Sequence, residues 1–117
     1  MSEPTIGQIM LFAGNYAPVG WMFCCGQLLP IEEYPVLYSI IGTTYGGNGQ
    51  IDFALPDLRG TIPFGTGGGP DMLPVQLGES GSYFNPHFYV NSHGSQMRGT
   101  LGLNYCIAIE GIYPERS

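Results

Sequence analysis

The side chains able to do chemistry in this 117-residue chain are few: the histidines His87 and His93, three cysteines, three arginines, no lysine and nine carboxylates. Without lysine there is no Schiff-base nucleophile and no phosphate-loop cation, and no G-x-S-x-G string marks a serine nucleophile. His87 and His93 stand in neither an H-x-H nor an H-x-x-x-H spacing, so a metal held within one chain is not expected. A metal on a symmetry axis, with each copy giving His87 or His93, is the arrangement that remains. Asp52 and Asp57 would serve a glycosidase only if a cleft set them several Å apart, and their setting among glycine and proline reads instead as turn and cap chemistry. The glycine run at 65–69 lacks a basic residue and a strong following helix, so it reads as a turn and not as a phosphate cradle. No catalytic residue, metal set or cofactor is expected.

Cys24 and Cys25 are adjacent and Cys106 is distant, which is neither a zinc spacing nor a C-x-x-C pair. Two readings stand. The thiols are buried and free, or, if Cys24 and Cys106 lie on neighbouring strands, they bridge in oxidising surroundings and leave Cys25 as the odd thiol. Arg59 is the only cation before residue 98. An unpaired, partly buried guanidinium is costly, so a mate is expected in Asp57, Asp52 or a carboxylate of a neighbouring copy.

A β-rich framework must carry these groups. One hydrophobic core serves a chain of this length, so residues 1–117 are expected to form a single domain. Residues 6–13 read as a strand that is buried or covered by a partner, and 21–29 as a second strand with Gly26 at a bulge; the two are expected to form a hairpin. The one helix is expected over 30–42, with Glu32 and Glu33 at its positive end, Pro35 in its first turn, Leu37, Ile40 and Ile41 as its apolar stripe and Gly42 as its stop. Residues 43–50 read as a glycine loop, 53–55 as a short strand, 56–60 as a turn and 61–64 as another strand. Residues 65–100 form a glycine-rich and loop-rich connection, with an edge strand at 83–90 broken by Pro86. Residues 101–113 are the most strand-like run of the second half. The fold class is mainly β with one short helix.

The chain is 10% charged, against about 25% in typical soluble proteins. No charge falls in 4–31, 34–51 or 80–97. A surface this neutral is expected to lie against copies of the same chain. A net charge of -6 and the absence of lysine exclude a phosphate-neutralising patch, hence nucleic acid. No run of about 20 apolar residues exists to span a membrane. Residues 1–8 contain no basic segment and the apolar run 9–13 is too short for a signal-peptide core, so secretory export is not supported.

Read in order, Gly7-Gln8, Gly20-Trp21, Cys24, Gly26-Gln27, Gly42, Tyr45-Gly46-Gly47 and Phe53-Ala54-Leu55-Pro56-Asp57-Leu58-Arg59-Gly60 resemble the phage tail collar domain family over residues 7–64. The likeness resumes at Asn104-Tyr105 within 101–114, matching the carboxyl end of the branch called microcystin-dependent proteins. The resemblance implies a compact tail-collar-like fold and a structural, non-catalytic role in tail fibres or related surface appendages, often as trimers. It also implies a location on an extracellular appendage or a virion-like particle. Two departures stand out. Cys25 replaces the aspartate of the family's Cys-Asp-Gly string, and the connection between Gly69 and Asn91 lacks the H-x-H insertion that holds metal in longer members.

The expected partners are copies of the chain, as a trimer or a helical filament joined through neutral apolar surfaces and exchanged terminal strands, together with other tail or appendage proteins. The alternative expectation is a receptor- or glycan-binding module using Tyr83, Phe84, Phe88 and Tyr89.

Overall fold

The structure is a computed structural model and describes residues 3–70, 74–81 and 101–116. It opens on a tight turn in which the Gln8 N–H donates to the Thr5 carbonyl at 2.9 Å. Gly7, at φ 91°, takes the left-handed third position that such a turn requires. The Gly7 N–H donates to the Ala108 carbonyl and the Ala108 N–H donates to the Gln8 carbonyl, both at 2.9 Å. Two residues therefore face one, and this bulge turns the chain into strand β1 (Ile9–Phe12).

β1 does not pair with β2 (Trp21–Phe23), the partner expected for it. Strand β5 (Asn104–Ala108) lies between them, antiparallel to both, giving a three-stranded sheet of order β1-β5-β2. The reason is burial. Cys106 and Ala108 are wholly inaccessible and Ile107 nearly so, and a strand this deep needs partners for its backbone along both edges. At the sheet centre the even-numbered residues of β5 bond to β1 and the odd-numbered ones to β2, as the flanking contacts Ala108 N–H to Gln8 and Cys24 N–H to Tyr105 require.

The expected strand at 21–29 is two strands. β2 belongs to the first sheet, while β3 (Leu28–Pro30) pairs antiparallel with β4 (Asp52–Ala54) in a second. The change of sheet falls across Cys24 to Gln27. Through it the pairing continues: the Leu55 N–H donates to Gln27, Gly26 to Pro56 and Leu58 to Cys24, at 3.0, 3.2 and 3.0 Å, with a bridge between Cys25 and Asp57.

Helix α1 (Pro35–Ile41) is shorter than expected. Pro30 ends β3, and the Glu33 and Tyr34 N–H groups both donate back to its carbonyl, so Glu32 and Glu33 lie in a turn ahead of the helix and not in its first turn. Pro35 occupies the first turn, where its missing N–H costs nothing. Gly42 ends the helix, its N–H donating to the Tyr38 carbonyl at 2.8 Å. Leu37 is buried and Ile40 and Ile41 are packed against the core, which is the apolar stripe read from the sequence. A seven-residue helix has little stability of its own, so this packing holds it.

The core joins Ile6, Cys24, Leu29, Leu37, Phe53, Leu55 and Ile107, with the Tyr38 ring tilted on Phe53 at 5.3 Å. Residues 61–64 form no strand and are exposed. The strand and loop expected at 83–90 and 91–100 lie outside the described residues. The expectation of a mainly β fold with one short helix is met.

The glycine loop rests directly on β4. A Cβ on Gly47, which sits at φ 95°, would meet the Phe53 Cα and the Asp52 carbonyl oxygen. Backbone cannot yield as a flexible side chain can. Gly47→Ala is expected to cost about 2 kcal/mol or more by adding left-handed strain to overpacking. Gly65→Ala, in open space, is expected to leave the melting temperature unchanged. Chemical and thermal denaturation of the two variants check this.

Candidate functional site

The residues singled out by the sequence converge on the crossing between the two sheets. Residues 24–30 run against 52–58, so Cys24, Gly26 and Gln27 meet Phe53, Leu55, Pro56, Asp57 and Leu58 across one ladder. Phe53, Leu55 and Pro56 are buried and Leu58 packs on the core. Gln27 has two jobs that its spacing did not reveal. Its Nε2 donates to the Phe23 carbonyl at 2.8 Å and its Oε1 accepts from the Cys25 N–H at 3.0 Å, so the amide replaces a neighbouring strand at the end of β2. Asn104 likewise ties strand to loop, its Nδ2 donating to the Gly14 carbonyl at 2.8 Å. Gln8 Oε1 accepts from the Thr5 N–H at 3.1 Å within the opening turn. Gly20 turns the chain into Trp21, and Tyr105 packs half-buried against the core. Tyr45 and Gly46 lie in the loop over β4, where the Gly46 carbonyl accepts from Ala54 at 3.0 Å.

Asp57 and Arg59 form the expected ion pair in a forked geometry, with Arg59 Nε donating to Asp57 Oδ1 at 2.9 Å and Nη2 to Oδ2 at 2.7 Å. The Arg59 N–H also donates to Oδ1, at 3.2 Å. The Arg59 hydrogen bonds hold the Asp57 carboxyl down to about 2, and in return the Asp57 hydrogen bond raises the guanidinium. The setting differs from expectation in one respect. The pair is at the surface, the side chains 67% and 47% exposed, so solvent screening weakens it and no burial cost compels it. Asp52 is engaged elsewhere, accepting from the Asn48 N–H at 2.8 Å.

All three thiols are free. Cys24 and Cys106 do lie on neighbouring runs, but Cys106 is opposite Phe23 while Cys24 continues the ladder opposite Tyr105. Directly opposed residues share a face, so the two side chains leave opposite faces and the bridge between them is not formed. Burial pushes the Cys24 thiol up to about 12, with Cys106 and Cys25 adding to the effect. Cys106 is raised by burial first and then by Cys25. Such thiols are poor nucleophiles.

A shallow groove runs between β3 and the start of β4, lined by Leu28, Ile31, Glu32, Gln50, Ile51 and Asp52. It brings no nucleophile beside a base. Among the described residues no cluster of histidine, cysteine and carboxylate side chains could hold a metal, and no helix is long and apolar enough to cross a membrane. His87, His93 and the aromatic group of Tyr83, Phe84, Phe88 and Tyr89 lie outside the described residues.

The strand crossing is built from turns, buried apolar side chains and one surface ion pair. Residues 7–63 match the phage tail collar domain family. The chain is similar to the short tail fiber protein gp12 of Enterobacteria phage T4, with 32% identity over 90 residues that span 76% of this chain and 17% of that protein. It is also similar to protein RhiB of Rhizobium leguminosarum bv. viciae, with 40% identity over 57 residues that span 44% of this chain and 26% of RhiB. The likeness thus spans only a small part of either relative.

Two outcomes are expected here. In the native protein a thiol reagent should modify Cys25, which is half-exposed, and spare Cys24 and Cys106 until unfolding, as peptide mass mapping would show. Asp57 is an acid whose folded value lies below its ordinary 3.8, so its contribution to stability is full above 3.8 and is lost as pH falls towards about 2. Melting curves should therefore show Arg59→Ala close to wild type near neutral pH, with the small remaining gap closing across that acid window.

Proposed function

We propose that this chain is a non-enzymatic structural subunit of a phage-tail-like fibre or extracellular appendage filament, assembled from copies of itself. The observation that carries the reading is the collar domain at residues 7–63, the part of the chain that forms the sheet crossing. The surface supports it. Ile9, Leu11, Tyr16, Val19, Leu28 and Ile51 are exposed on a chain with no charge between residues 4 and 31, a combination suited to contact with further protein. Scarce ionic groups leave little to keep separate copies apart once those faces meet.

In this reading residues 1–117 act as one domain, with 65–100 as a connection and the C-terminal strand completing the core. The short tail fibre relative makes a virion or tail-like particle the favoured location, with other tail proteins as further partners. The carboxyl-terminal likeness to microcystin-dependent proteins favours that branch.

Sedimentation and electron microscopy of the purified chain at several concentrations test this. Discrete oligomers or filaments are expected. A compact monomer persisting at high concentration would contradict the proposal.

A further inference from the structure

The three-stranded sheet has two outer edges, and they are finished differently. Because β2 alternates its backbone bonding, the groups of Met22 face β5 and those of Trp21 and Phe23 face outward. That outer edge is partly closed. The Trp21 N–H donates to the Pro18 carbonyl at 3.0 Å, and the Phe23 carbonyl accepts from Gln27 Nε2 at 2.8 Å. On β1, Met10 and Phe12 spend their backbone groups on β5, and the N–H and carbonyl groups of Ile9 and Leu11 point away from the sheet. Among the described residues nothing meets them. The two residues are themselves 40% and 53% exposed. β1 has no lysine, no proline and no inward charge to guard this edge; its protection is limited to its four-residue length and the bulge at its start.

We propose that the outer edge of β1 docks the β1 strand of a second copy of this chain, antiparallel about a two-fold axis at Met10. This rests on the self-assembly reading and names the surface through which it works. Three features select a second copy as the occupant. Ile9 and Leu11 are two positions apart, so an axis at Met10 sets Ile9 beside the partner's Leu11 and closes both exposed aliphatics together. The same register makes these positions the hydrogen-bonded pairs and leaves Met10, already committed to β5, as the non-hydrogen-bonded pair on the axis. Finally, a chain of net charge -6 repels itself at most surfaces, whereas residues 4–31 are uncharged and set no like charges opposite one another. The contact joins two sheets into one continuous sheet. Because the β2 edge is obstructed, growth in that direction stops, and longer assemblies need a different surface.

Across the axis the two Met10 Cα atoms would stand about 4.5 Å apart, inside the roughly 4.4–6.8 Å that a disulfide spans. The experiment is mild oxidation of the full-length Met10→Cys chain, followed by proteolysis and mass spectrometry, which separates links at position 10 from links through the native cysteines. Linked peptides from position 10 of two copies are expected, and none from Asn15→Cys, beyond the strand. Adding Leu11→Lys should abolish the link, and Leu11→Lys alone, with no added cysteine, should lower the sedimenting mass. Its side chain is exposed, so the fold is expected to tolerate it, and an unchanged melting curve confirms that. A folded chain that sediments as an oligomer without a position-10 link, or whose mass Leu11→Lys leaves unaltered, overturns the β1 edge while leaving self-assembly standing. A monomer in wild type and variants alike overturns both.

Discussion

The structure depends on the insertion of β5 between β1 and β2. Residues near the C-terminus supply the middle strand to two strands near the N-terminus, so the sheet does not exist until the chain has closed on itself. Cys106, Ile107 and Ala108 gain burial there that neither outer strand could give. The N-terminal segment is held by the same closure. Thr5 bridges Ile112 in parallel, and the Ile6 N–H donates to the Ile112 carbonyl at 2.9 Å. The chain ends are thereby fixed to one another and the bulge at Gly7 is locked against Ala108.

From that closure the second sheet follows. With β2 fixed on β5, the chain leaves at Cys24 and crosses to pair with 52–58, and the collar motif is the set of side chains that makes this crossing possible. Buried Phe53 and Leu55 pack in the core that joins the two sheets, Gln27 finishes the end of β2, and Asp57 with Arg59 closes the turn on the solvent side. The α1 helix and the glycine loop lie over this crossing through Leu37 and Gly47. Cys24 and Cys106 are buried as small apolar groups, their thiols poor nucleophiles.

Local signals were legible in the sequence and pairings were not. Gly42 as a helix stop, Pro35 in the first turn, the short strand around Phe53 and the Asp57–Arg59 pair all depend on residues a few positions apart, where propensity and side-chain reach decide. The hairpin between 6–13 and 21–29 failed because neighbouring strands in sequence usually pair, and nothing local to either reveals that a strand from residue 104 onward will part them. Which of the two cysteine readings holds, buried free thiols or a Cys24–Cys106 bridge, turns on parity, since one residue of register decides which face a side chain takes. Arg59 was expected to be paired because it is so isolated among neutral residues; it is, but its neighbours are turn residues that leave the pair in water. The value of Gln27 as a strand-end cap was invisible because it depends on where β2 stops.

The central claim is that residues 104–108 form the middle strand, with β1 carrying the open edge. Residue-resolved hydrogen exchange of the native protein at concentrations low enough to disperse it tests this directly. Amides 106–108 are expected to be slow on even and odd positions alike, and on β1 slow at Met10 and Phe12 but fast at Ile9 and Leu11. Slow exchange on alternate residues of 106–108 alone would mean that this strand sits at an edge, and fast exchange throughout would mean that it is unpaired; either result contradicts the account.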